Sequence, residues 1–86
     1  MGDEGMLAEI RLFAGTFAPQ NWAFCDGSVM SIAQNTALFS LLGTQFGGDG
    51  SSTFALPKLD PLPATGPGAT PVHYVICTRG VYPQRP

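Results

Sequence analysis

The chain has 86 residues, of which 44% are hydrophobic and only 12% charged, with a formal net charge of −2. A single domain of this length buries only roughly 60–65% of its unfolded surface, so a thin core and leftover apolar surface suited to self-association are expected. The four basic residues (Arg11, Lys58, Arg79, Arg85) are scattered, which argues against a nucleic-acid patch, and no apolar run reaches the ~18 residues of a membrane span.

The start, MGDEGM, is acidic where a secretory leader is basic, so synthesis in the cytoplasm without a signal peptide is expected. Residues 1–6 read as a mobile tail. Residues 7–13 alternate like a strand, with Ile10 and Leu12 toward the core and Glu9 and Arg11 toward solvent or a neighbouring subunit. After a turn region, Trp22-Ala23-Phe24-Cys25 forms a second short strand that stops at the turn dipeptide Asp26-Gly27. Phe13, Phe17, Trp22 and Phe24 are close enough in sequence to cluster. Such a cluster reads as core before it reads as a sugar-stacking platform.

Ser31 stands three residues before Gln34, the spacing of a capping box, and predicts a helix over residues 32–42 with Gly43 as its C-terminal cap. On the helical wheel Leu38, Phe39, Leu41 and Leu42 share one arc, opposite Ala33, Thr36 and Ser40, which describes a helix docked on a sheet. Gln34 and Asn35 fall on the apolar side and read as structural braces. Gly47-Gly48-Asp49-Gly50 forces a bend, and Thr53-Phe54-Ala55-Leu56 resumes an extended run before Pro57. Residues 58–71 form a Pro/Gly-rich connection that cannot lie inside a sheet. Residues 72–82 hold the closing strand. Val72, Tyr74, Ile76 and Thr78 face one side of it and His73, Val75 and Cys77 the other, so it is expected to be central or covered on both faces.

Residues that carry chemistry are few. Asp26 and Asp49 each precede glycine, which is turn chemistry; Glu9 and Asp60 stand apart. One histidine and two cysteines give no metal-ligand spacing, although an oligomer axis could gather several copies of His73. The glycine-rich bend lacks the Lys-Ser/Thr of a phosphate loop. No catalytic residue, metal site or cofactor is expected, and the chain does not read as an enzyme. Cys25 and Cys77 could stay reduced in the core or close a single disulfide around a loop of about 50 residues, worth at most about 4 kcal/mol.

The fold expected is α+β: one domain over residues 1–86, with a small, mostly antiparallel sheet of short strands and one helix of about three turns packed on it. Trp22, Phe24, Leu38, Leu41, Leu42, Phe54 and Tyr74 are its expected core.

The strings EIRLFAGTFAPQNWAFCDG, SIAQNTALFSLLGTQFGGDG and TFALP resemble the phage tail collar domain, a family that includes short-tail-fibre collar segments and bacterial tail fibre-like proteins. The resemblance runs over residues 8–57, and HYVICTRGVYPQRP is similar to the closing strand of the bacterial members. Longer members continue after the proline with an Asp-Leu-Arg-Gly-Arg run, whereas here Pro57 leads into Lys58-Leu59-Asp60-Pro61. What that longer region does is not carried over. The resemblance implies a structural subunit of a phage tail, tail-like particle or bacterial extracellular fibre, working by self-assembly. It implies a trimer first and a filament second, with other tail or fibre proteins as partners. A carbohydrate- or receptor-binding adhesin tip, with cell-surface glycan as partner, is the alternative. A small disulfide-held secreted inhibitor fits less well, given the missing leader.

Overall fold

The computed structural model describes residues 5–62, 66, 68 and 71–83. Along the chain run β1 (Ile10–Phe13), β2 (Trp22–Phe24), β3 (Val29–Ser31), α1 (Thr36–Leu42), β4 (Thr53–Ala55) and β5 (His73–Cys77). The architecture is α+β, as the sequence implies. β1, β5 and β2 make a three-stranded antiparallel sheet in that order, and β3 pairs with β4 as a separate two-stranded ribbon.

β5 is the central strand because it is apolar on both sides and can therefore be covered on both. Its register sets Ile10 against Ile76 and Phe13 against His73 on one flank, and Trp22 against Cys77 and Phe24 against Val75 on the other. Period-2 alternation then divides the sheet. Tyr74, Ile76, Ala23, Ile10 and Leu12 share one face; His73, Val75, Cys77, Arg11, Phe13, Trp22 and Phe24 share the other. The core lies on the first face, where Ile76 meets Leu7, Cys25, Leu38 of α1, Phe54 of β4 and Leu56. Burying each large apolar side chain there contributes about 1.5–3 kcal/mol.

Several expectations are corrected. The helix has seven residues, about two turns, and starts at Thr36 instead of residue 32. The Ser31–Gln34 capping box does not form. Ser31 is the last residue of β3, paired with Thr53, and the next amide, Ile32 N–H, donates to Ser52 O at 3.0 Å. A residue held in a ladder cannot also cap a helix. Asn35 occupies the N-cap without a side-chain cap bond; its Nδ2 instead donates to Ser31 O at 2.9 Å. Asn35 thus braces the turn between β3 and α1, while the Gln34 side chain is exposed and only its carbonyl is used, by Arg79 Nη2 at 3.2 Å. Gly43 ends the helix at φ 59°, ψ −146°, a conformation open essentially to glycine alone, and its N–H donates to Phe39 O at 2.7 Å.

The chain start is also more structured than a tail. Residues 1–4 lie outside the described residues, but Gly5 is buried and Met6 bridges Val81 in parallel. Leu7 N–H donates to Val81 O at 2.7 Å and Val81 N–H to Gly5 O at 3.2 Å. Gly80 makes this clasp possible, since a Cβ there would collide with Gly5 O and lie 2.7 Å from Cys77 Sγ. The closing segment therefore consists of β5 followed by a return that pins residues 5–7. Of the 58–71 connection, the described ends are anchored. Leu59 N–H donates to Cys25 O at 2.9 Å, and Leu62 and Val72 exchange amide hydrogen bonds of 2.8 and 3.2 Å.

The glycine-rich bend is held by one carboxylate. Asp49 Oδ1 accepts the amides of Ser51, Ser52 and Thr53 at 2.9, 2.8 and 2.9 Å, and Oδ2 accepts Ser52 Oγ at 3.1 Å. Those backbone bonds hold its carboxyl well below the usual carboxylate range. A folded-state value below the unfolded one adds stability that is fully present above the unfolded pKa of about 3.9 and fades as pH falls further. The thermal midpoint should therefore drop on acidification below about pH 4, and Asp49→Asn should flatten that limb. Superimposable midpoint–pH curves between pH 2 and 7 for the two proteins would show that the loop does not depend on the charge.

Candidate functional site: an open sheet edge beside apolar surface

The groups able to do chemistry are dispersed. Among the described residues, no three His, Cys, Asp or Glu side chains stand close enough to hold a metal ion. Asp26 is spent on its turn, accepting the Ser28 hydroxyl and, at 3.0 Å, the Ser28 amide, which lower its pKa in that order; nearby Lys58 adds to this. His73 is half-buried with its ring 5.1 Å from that of Phe24. Among the described residues, no nucleophile, base and orienting group converge.

The cysteines are free and buried. Burial, followed by the Asp26 carboxylate, pushes the Cys25 thiol up to about 11, and burial also raises Cys77. Thiols held protonated in this way are poor nucleophiles. The register explains why they stand unbridged. Cys77 lies opposite Trp22, and Cys25 is three residues further along, so their Cα atoms are about 10 Å apart, beyond the ~7 Å limit of a disulfide.

The expected core residues divide. Leu38 and Phe54 are fully buried, and Leu41, Leu42 and Tyr74 pack half-buried against them. Trp22 and Phe24 do not join that cluster; they sit half-buried on the other face of the sheet. There the Arg11 guanidinium lies 5.1 Å over the Trp22 ring, a cation–π contact worth about 0.5–1 kcal/mol when exposed. The anticipated four-membered aromatic cluster is absent among the described residues. Phe17 is 75% exposed, and the ring contacts are Phe24–His73 and Phe39–Phe54.

What the molecule does present is apolar surface. Ile10 and Leu12 are 41% and 49% exposed, although they share the core face with Ile76. The helix and ribbon cover that face over β5 but stop short of β1. Alternation in the sequence assigns a side chain to a face; it carries no signal about how far that face is covered. Met6, Phe17, Val29, Phe46, Val81 and Tyr82 add further exposed apolar groups. Tyr82 is tethered, its hydroxyl 2.7 Å from Ser40 Oγ, which itself donates to Ala37 O at 2.6 Å.

β1 is also an edge strand. Cys77 N–H donates to Glu9 O at 2.9 Å, so antiparallel geometry points the amides and carbonyls of Arg11 and Phe13 toward β5 and those of Ile10 and Leu12 outward. Before β1, Ala8 takes φ 70° in the turn closed by Glu9 N–H to Met6 O, and its own N–H joins Cys77 O at 2.9 Å. Ala8 and Glu9 thus oppose one residue, a bulge whose left-handed position is normally glycine. Glu9 Oε2 accepts Arg11 Nε at 2.7 Å and Oε1 accepts Met6 N–H at 2.9 Å, which depress its pKa; the ion pair is exposed and stabilises little, about 0–1 kcal/mol.

The described residues thus form a small α+β scaffold with an open strand edge and exposed apolar surface. Its sequence matches the phage tail collar domain over residues 8–62, and the chain belongs to that family. Searches of curated proteins and of solved structures found no match. No helix among the described residues is long and apolar enough to cross a membrane.

Proposed function

We propose that this chain is a structural component of a phage tail, tail-like particle or related extracellular fibre, and that it works by self-assembly instead of catalysis. The observation that carries this reading is the exposed apolar surface, ten large hydrophobic side chains among the described residues, on a chain with 12% charged residues. Association removes such surface from water, and closed rings or open filaments are the two ways identical contacts can propagate. Three copies are the first form expected and a filament the second. Other tail proteins would meet the same apolar surface. The protein would then act in a virion or fibre after synthesis in the cytoplasm. Light scattering with negative-stain microscopy tests this, and an oligomer at micromolar concentration is the expected result. One 9.0 kDa species would overturn it.

An adhesin tip is the second reading, supported by one feature. A cavity of about 280 Å³ opens at the end of the sheet between Phe24, His73, Tyr74, Asp26, Lys58 and Asp60. Aromatic faces beside carboxylates suit a sugar ring, whose C–H groups stack and whose hydroxyls need acceptors. Binding on a glycan array that is lost in Tyr74→Ala would support it.

A further inference from the structure

We propose that two copies of this chain pair isologously through β1, antiparallel about a two-fold axis at Ile10, joining their sheets into one of six strands. The inference rests on the self-assembly reading but not on three copies: an isologous contact closes at two, so a pair takes the place of the trimer as the form expected.

Backbone groups set which registers are allowed. Only Ile10 and Leu12 of β1 direct their amides and carbonyls away from β5, and no other described segment uses them. A hydrogen-bonded pair across a new edge must therefore be made by these residues. Three two-fold registers satisfy this: Ile10 against Ile10, Ile10 against Leu12, or Leu12 against Leu12.

Charge selects among them. With Ile10 opposite its copy, Glu9 of each chain lies opposite Arg11 of the other, in non-hydrogen-bonded positions whose Cβ atoms approach to about 4.5–5.5 Å. Two opposite-charge pairs form at once. Pairing Ile10 with Leu12 instead sets Arg11 against Arg11, and like charges directly opposite destabilise. Pairing Leu12 with itself sets Glu9 and Arg11 against no charged residue. Glu9–Arg11 is thus self-complementary in one register. Among the described strands, β1 is the one with Asp, Glu, Lys or Arg in it.

The apolar side chains agree with that register. Ile10 and Leu12, exposed by 41% and 49%, project on the face opposite the charges. In the joined sheet each Ile10 packs beside the other, and each Leu12 lies opposite the second copy's Ala8. The exposed margin is then buried in part, edge to edge, by lateral contact with its own duplicate. Such an edge excludes misaligned strands and still accepts one partner, a second copy of itself.

The test uses the full chain with Glu9→Arg and Arg11→Glu, each alone and mixed one to one. Each variant alone meets only like charges across the two-fold, and its dissociation constant should rise by about tenfold or more. In the mixture, one variant's two cations meet the other's two anions. Hetero-pairs should form with affinity within a few-fold of wild type, identified by a mass tag. The charge pair inside each chain stays repulsive in both variants, so recovery reports the contact between chains. Variants that associate like wild type, or a mixture no tighter than its parts, overturn the proposal while leaving self-assembly standing; a monomeric wild type overturns both. Should a variant not fold, amide exchange of the wild type decides. The Ile10 amide, which pairs with its own copy, should exchange more slowly as concentration rises through the association range, and an unchanged rate overturns the pairing.

Discussion

A chain lacking residues 72–86 is expected to have no cooperative unfolding transition and to aggregate. β5 is the strand to which both β1 and β2 are bonded, so its loss leaves two strands of four and three residues with no neighbour. It also removes Ile76 from the core and the Val81 bonds that hold Leu7 in place. Two-stranded pieces are marginal in water even when whole, and here not one remains of the larger sheet. Proton–nitrogen spectra of the truncated protein provide the check. Native-like amide dispersion in a soluble product would mean that the compact unit ends near Pro57.

Phe54→Ala should have the largest effect of any single core truncation. Its side chain is fully buried and bridges the two halves of the fold, lying on β4 of the ribbon, against the Phe39 ring at 5.4 Å, and in the cluster that includes Ile76 of the sheet. Removing an aromatic ring from such a site costs about 3–5 kcal/mol. Domains of this size have about 0.05–0.15 kcal/mol of stability per residue, so the loss is a large part of the total. Leu41→Ala should cost less than Phe54→Ala, because Leu41 is half-buried at the margin of the cluster. Urea titrations of the two variants should give midpoints in that order. A Phe54→Ala midpoint at or above that of Leu41→Ala would show that the ribbon and the sheet are not packed through this ring.

The sequence alone determined the elements whose signals are local. Trp22-Ala23-Phe24, Thr53-Phe54-Ala55 and the apolar run ending at Cys77 are strands because their residues favour a pleated backbone. Gly43 ends the helix because its conformation tolerates no side chain. The central position of β5 was legible too, from apolar residues on both its sides. The family was legible in the motif strings.

Tertiary structure decided the rest, through contacts distant in sequence. Ser31 has the spacing of a helix cap, but pairing with Thr53 claimed its backbone for a strand, and a ladder 22 residues away outweighs a local cap. Residues 5 and 6 look like a tail until Val81 returns to bond them. Ile10 and Leu12 carry the same alternation as any half-buried strand. Whether that face meets a core or an open margin depends on how far α1 and the ribbon extend over the sheet. Trp22 and Phe24 read as core because they are large and aromatic, yet the register of β2 on β5 turned them to the opposite face. The disulfide question was likewise one of register, since three residues of offset separate Cys25 from Cys77's partner. Periodicity reports direction along one strand; coverage, register and pairing are properties of two or more.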